Sequence, residues 1–159
     1  MISRPFFILW NGIWQIPYLG YRKKYNIDPG FRFNGAGIKF YGEGKIICKK
    51  NSYISRFSSI QSAEGCAVEI GENTAISNLV RIYTGNRISN QDFSKGKHIK
   101  RGNVKIGDNC WIGSGVFINK GNTIGDNVVV GANSVVTKDI PSFSVAGGNP
   151  ARVIKNIDK

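Results

Sequence analysis

From Ile106 onward an aliphatic residue stands at every sixth position: Ile106, Ile112, Ile118, Ile124, Val130 and Val136. Glycine follows four of them, at 107, 113, 125 and 131. Four positions after each aliphatic comes Cys110, Val116, Asn122, Val128, Ser134 or Ile140, mostly small or apolar. The period recurs upstream in Ile70, Ile76 and Ile82, and more weakly in Cys48, Ile54 and Ile60. A helix repeats at about 3.6 residues and a half-buried strand at about 2, so neither fits. A β-sandwich of short strands would show alternation and irregular turn spacing instead. Period six predicts a hexapeptide solenoid, a parallel β-helix whose three flat faces make a coil of about 18 residues. Each face sends a side chain inward, and stacked coils bury an aliphatic column. The corners need residues that tolerate left-handed backbone angles. Gly71-Glu72-Asn73, Gly107-Asp108-Asn109, Gly125-Asp126-Asn127 and Gly131-Ala132-Asn133 supply them.

The phase breaks twice, between Ile60 and Ile70 and between Ile82 and Ile106. The second break holds an excursion loop over 85–105, and a long loop on a regular scaffold is where function usually sits. The expected organisation is a lead-in or cap over 1–35, a β-helix of some five coils over 36–141, and a tail over 142–159. High glycine content, 20 of 159 residues, marks a turn-rich, all-β chain with little long helix. Gly12 and Pro17 would interrupt any long helix in the lead-in. The length suits a single domain.

Cys48, Cys66 and Cys110 have no metal-ligand spacing and cannot all pair, so they read as reduced thiols in a cytosolic setting. One histidine and no Cys-x-x-Cys leave no protein-built metal site. No apolar run approaches a membrane span, and Phe6 to Leu9 is too short for a secretory core. The net charge of +12 points to an anionic partner.

Three stretches carry a family resemblance: Ile106-Gly-Asp-Asn-Cys-Trp-Ile-Gly-Ser114, Val135-Val-Thr-Lys-Asp-Ile-Pro141, and the tail Ser144-Val-Ala-Gly-Gly-Asn-Pro-Ala-Arg-Val-Ile-Lys155. Over about 44–157 the chain resembles the hexapeptide-repeat acyltransferases, in the branch of maltose, galactoside and polysaccharide O-acetyltransferases. The resemblance implies a left-handed β-helix, where generic crossover rules would give a right-handed one. It also implies a homotrimer with acetyl-CoA in a groove between neighbouring subunits. By similarity Ser114 and Ala132 line the pantetheine channel and Trp111 packs nearby. Thr137 and Lys138 contact the nucleotide end of the cofactor, and Arg152 and Lys155 its phosphates, for which Arg and Lys are natural donors. No metal is expected, and the three-His zinc site of γ-class carbonic anhydrases cannot be built from one His.

The catalytic position departs from the family. Acetyl transfer needs a base for the attacking group and donors for the developing oxyanion. Relatives place a histidine after Thr-x-Asn, whereas Tyr83-Thr84-Gly85-Asn86 is followed here by Arg87. A guanidinium stays protonated at neutral pH and cannot be that base. It can stabilise an oxyanion or hold an anionic acceptor. His98 lies eleven residues on in the same loop and Asp92 is the nearest carboxylate in sequence. The candidate catalytic set is therefore His98, Arg87, Asn86 and Asp92. The alternatives are a surface histidine, substrate-assisted chemistry, and a catalytically degenerate module that binds CoA or an anionic glycan.

Between Arg81 and Lys105 stand Arg81, Arg87, Lys95, Lys97, Lys100, Arg101 and Lys105 against Asp92 alone. This is either a solvated loop or a basic collar for CoA and an anionic acceptor such as a sugar nucleotide or acidic glycan. No aromatic-basic motif for nucleic acid accompanies it. In the lead-in, Phe6, Phe7, Ile8, Leu9, Trp10, Ile13, Trp14, Ile16, Tyr18, Leu19 and Tyr21 run into Arg22-Lys23-Lys24. Such a stretch either caps the open end of the solenoid or lies in a membrane interface near lipid-linked glycans. The resulting expectation is an acetyl-CoA-dependent sugar acetyltransferase of surface-polysaccharide synthesis, cytoplasmic or at the inner face of the membrane.

Overall fold

The computed structural model describes residues 4–96 and 98–158, with side chains along the N-terminal helix given at Ile13 and from Gln15 on. The lead-in residues Phe6, Phe7, Ile8, Leu9, Trp10 and Trp14, and Lys97 of the basic run, lie outside these described side chains. The chain opens with helix α1 (Arg4–Lys24) and then winds coil upon coil. The first coil holds β1 (Asn26–Ile27), β2 (Arg32–Asn34) and β3 (Lys39–Tyr41), the second β4 (Lys45–Cys48), β5 (Tyr53–Ser55) and β6 (Ser59–Gln61). The third holds β7 (Ala67–Ile70), β8 (Ala75–Ile76) and β9 (Arg81–Tyr83). After the excursion strands β10 (Gly85–Arg87) and β11 (Ile99–Arg101), a fourth coil carries β12 (Val104–Ile106), β13 (Trp111–Ile112) and β14 (Phe117–Ile118). A fifth carries β15 (Thr123–Ile124), β16 (Val128–Val130) and β17 (Val135–Val136), and the chain ends in β18 (Ser144–Gly148) and β19 (Ala151–Asn156).

Corresponding strands of successive coils stack in parallel, which gives three faces. The first is β1-β4-β7-β12-β15, the second runs from β2 through β5, β8, β13 and β16 to β18 and β19, and the third is β3-β6-β9-β14-β17. The register aligns the aliphatic positions seen in the sequence: Ile106 with Ile124, Ile112 with Val130, and Ile118 with Val136. All six are buried to 1% exposure or less. Each such side chain stabilises the fold by about 1.5–3 kcal/mol, so the columns are the core. The residues four places later, from Cys110 to Ile140, are buried as well and fill the corners.

The corner tripeptide Gly-Asp-Asn has a separate reason at each position. A Cβ on Gly107 would meet the Asp126 carboxylate at 2.2 Å and the Gly125 backbone at 2.7 Å, so the coils stack too closely for a side chain. Asp126 Oδ1 accepts the Asp108 amide at 2.8 Å, Asp108 Oδ1 accepts that of Glu72 at 2.7 Å, and Ser142 Oγ accepts that of Asp126 at 2.9 Å. Asn73, Asn109, Asn127 and Asn133 take the left-handed conformation, at φ between 53° and 58°.

Two sequence expectations are corrected here. Parallel pairing starts at Asn26–Ile27 on the first face, ahead of the start at 36. In this first coil the inward residues are Ile27, Phe31, Phe33, Ile38 and Phe40, so aromatic residues interrupt the aliphatic rhythm. Moreover, α1 is a 21-residue helix that runs through Gly12 and Pro17. An internal proline costs a helix about 3 kcal/mol, and tertiary packing offsets it. Tyr18 stacks on Phe33 at 4.6 Å and Tyr21 on Phe40 at 5.4 Å between ring centroids. The Tyr18 hydroxyl donates to Gly35 O at 2.6 Å, and the Arg22 guanidinium to Asp28 O and Phe31 O. The helix thus lies over the aromatic first coil. At the other end β19 turns back antiparallel on β18. The three cysteines are free and buried.

Candidate active site

Apart from one extra residue between Phe33 and Phe40, the departures from strict period fall at one edge of the prism, where the third face turns into the first. The excursion leaves and re-enters the solenoid there, its neck closed by Gly102 N donating to Thr84 O at 2.9 Å. Thr84 is itself buried, its hydroxyl accepting from Ala63 N at 2.7 Å. Beyond the neck the chain forms a hairpin in which Gly85 pairs with Arg101, Asn86 with Lys100 and Arg87 with Ile99. Ile88 N donates to His98 O at 3.0 Å and carries the ladder one step further.

Pleat alternation divides the hairpin into two faces. Asn86, Lys100 and His98 share one face, with Asn86 and His98 diagonal neighbours about 7–8 Å apart. Gly85, Arg87, Ile99 and Arg101 share the other. Asn86 Nδ2 donates to Asn119 Oδ1 at 2.5 Å, which pins its face against the coil above. His98 is held by its backbone: its N–H donates to Gln91 Oε1 at 2.7 Å and its carbonyl accepts from Gln91 Nε2 at 3.1 Å. Its imidazole is exposed. Asn86 and His98 therefore come together, while Arg87 projects from the opposite side, exposed and without an ion pair among the described residues.

Asp92 is engaged elsewhere. Its carboxylate accepts from Ser94 Oγ at 2.6 Å and Ser94 N at 3.0 Å, and Lys95 Nζ lies 3.5 Å away. The Ser94 hydrogen bonds, with Lys95 beside them, hold this carboxyl below its ordinary range, which makes it a weaker base.

The outward residues of the third face form two columns. Lys39, Ser59, Arg81, Phe117 and Val135 make one, and Tyr41, Gln61, Tyr83, Asn119 and Thr137 the other, next to the excursion. Thr137 and Lys138 are exposed at the upper end of the second column. Lower down, Gly37, Lys39, Tyr41, Phe57, Ser59 and Tyr83 line a shallow depression of about 550 Å³. Burial, and then the hydrogen-bonded Tyr83 phenol, push the Tyr41 hydroxyl up to about 12. The Tyr83 ring meets Phe117 edge-on at 5.5 Å.

Ser114 and Ala132 occupy the opposite edge of this face, one coil apart at the corner from the second face. Asn133 N donates to Ser114 O at 2.8 Å, and a Cβ on Gly113 would lie 2.6 Å from Ala132 N, so the two coils touch through backbone. Both residues are exposed. Trp111 is 56% exposed on the second face, its indole N–H directed to Ser77 Oγ at 3.3 Å. Arg152 and Lys155 are exposed on β19, where Arg152 pairs with Gly147 and Lys155 with Val145. Sequence reasoning missed Asn119, Gln91, Tyr41 and Tyr83. The 18-residue step back from Thr137 would have found Asn119, but nothing local marks Gln91.

The bacterial transferase hexapeptide family model (six repeats) matches residues 103–138. The solved maltose O-acetyltransferase of Clostridium difficile is 41% identical, with 87% of this chain and 73% of that one aligned at a TM-score of 0.59. The chain belongs to the hexapeptide-repeat transferase family. Its solenoid is the left-handed parallel β-helix of that family. The galactoside O-acetyltransferase of Escherichia coli is 47% identical over 120 residues, 75% of this chain and 58% of that protein. The match thus spans less than two thirds of that relative. A hexapeptide-repeat acetyltransferase of Vibrio cholerae, solved with acetyl coenzyme A, is 25% identical and aligns over 91% of this chain and 78% of its own at a TM-score of 0.64. Among the described residues, no helix is long and apolar enough to cross a membrane, and no group of three or more His, Cys, Asp or Glu residues could hold a metal ion.

Proposed function

We propose that the protein transfers an acetyl group from acetyl-CoA to a hydroxyl of a sugar or glycan. The acceptor oxygen attacks the thioester carbonyl and its proton passes to the His98 imidazole. The C–S bond breaks as the ester forms, and the departing thiolate takes the proton back. Asn86 and the basic collar supply donors for the oxyanion. The observation that carries this reading is the Asn86–Asn119 bond, which fixes the His98 face of the hairpin against the third face of the prism. Ser114 and Ala132 approach the cofactor at the other edge of such a face, with Thr137, Lys138, Arg152 and Lys155 toward its charged end and Trp111 nearby. The tyrosine-lined depression suits a sugar ring, and Arg81, Arg87 and Arg101, which make no ion pair among the described residues, suit an anionic acceptor.

The two halves of this site stand a face apart on one chain, on the order of 10 Å. They meet when the excursion edge of one copy faces the Ser114 edge of the next. This supports a homotrimer with the site between copies. The setting we favour is surface-polysaccharide synthesis in the cytoplasm. Incubation with acetyl-CoA and a panel of sugars, followed by free-thiol release and product mass, tests the assignment. Acetylated product must accompany thiol. A competing reading, binding without efficient turnover, draws on the exposed His98 and on Arg87 at the usual base position. Saturable acetyl-CoA binding with no product from any sugar would select it.

A further inference from the structure

Helix α1 has two apolar sides and the prism uses one of them. At about 100° per residue, Tyr18, Tyr21 and Arg22 form the side fastened to the first coil. Ile13, Ile16, Leu19 and Lys23 fall within about 120° of one another, centred roughly 170° from the tyrosines. These three aliphatics are 55%, 69% and 60% exposed. Lys23 shares their stripe, exposed and without an ion pair among the described residues. In sequence, residues 1–27 contain Arg4, Arg22, Lys23 and Lys24 and no acidic residue, with Phe6, Phe7, Trp10 and Trp14 in the same stretch.

We propose that this face of α1 seats the protein on the surface of an anionic lipid bilayer. Exposed aliphatics, cations and an absence of acids match the headgroup boundary of such a membrane. The chain's overall charge of +12 adds long-range attraction to it. Spanning is ruled out by the helix itself, because its tyrosine side is occupied by the prism and cannot be surrounded by lipid. The helix therefore lies in the plane of the interface and the solenoid stands over it. A second copy is the rival occupant, but a stripe carrying Lys23 on an acid-free segment offers that copy no complementary charge.

Flotation of the full chain with vesicles of phosphatidylcholine, with and without added phosphatidylglycerol, tests the proposal. The wild type should float with the anionic vesicles. The charge-neutral variant Ile13→Gln/Ile16→Gln/Leu19→Gln should partition roughly tenfold or more weakly, with the thermal unfolding of the solenoid unchanged. Lys23→Glu should weaken partitioning by roughly tenfold to thirtyfold, and it probes the same face should the triple variant fail to fold. A wild type that does not float overturns the proposal. So does a folded triple variant that floats as well as wild type, since general surface charge then suffices. A triple variant whose mass falls in light scattering while vesicle binding persists assigns the face to a second copy and overturns it equally.

Discussion

On the proposed mechanism the chemistry depends on the His98 imidazole, which is held by its backbone. If this group is the base, His98→Ala should lower turnover by about 10²- to 10⁴-fold with cofactor affinity little changed. Steady-state kinetics beside calorimetry checks the split. A silent His98→Ala together with a faster Arg87→His would show that the chain is a weakened enzyme in which the family's usual position still matters. At the proposed cofactor end, Lys138→Glu exchanges a cation proposed to contact the nucleotide for a repulsive charge, and calorimetry should read about a tenfold to hundredfold weaker acetyl-CoA affinity. Tyr41 gives a pH signature. Its folded value near 12 lies above the ordinary tyrosine value of about 10, so the unfolded chain loses this proton first. Stability should fall as pH rises from about 10 to about 12. Tyr41→Phe should flatten that fall, as followed by ultraviolet phenolate titration and melting.

Among the elements, the coils were the most legible part of the sequence. The inward columns need nothing beyond an aliphatic every six residues, and the left-handed corners announce themselves through Asn. The first coil hid because Phe31 and Phe33 replace aliphatics, and α1 hid because Pro17 and Gly12 are local signals overruled by distant rings. The hairpin's two-sidedness was also unreadable, since Gly85–Arg87 and Ile99–Arg101 carry no apolar alternation, and Asn86 and Asn119 are 33 residues apart. Three corners depart from the asparagine rule, at Phe57, Leu79 and Phe143. Leu79 takes φ 61° where the equivalent positions one and two coils on hold Gly115 and Asn133. A left-handed non-glycine residue costs roughly 1–2 kcal/mol, and Leu79 is 52% exposed, so its side chain recovers little of that by packing. Leu79→Asn should therefore raise stability by about 0.5–1.5 kcal/mol in chemical denaturation.

For the whole molecule, light scattering at micromolar concentration should show three chains. A stable monomer would leave the two halves of the site apart and remove the inter-subunit reading. The neck of the excursion carries one more consequence. Arg81 pairs with Phe117, and Phe117 with Val135, so the excursion adds 18 residues, the length of one whole turn of the solenoid. Its ends meet at a single backbone hydrogen bond between Gly102 and Thr84. Splicing Thr84 directly to Asn103 would leave every column in phase. The excursion, which carries the proposed base, is thus a detachable cassette, and a chain lacking it should melt as a solenoid yet transfer nothing. In such an architecture, new acceptor preferences can arise by exchanging the cassette, with no renegotiation of the scaffold beneath it.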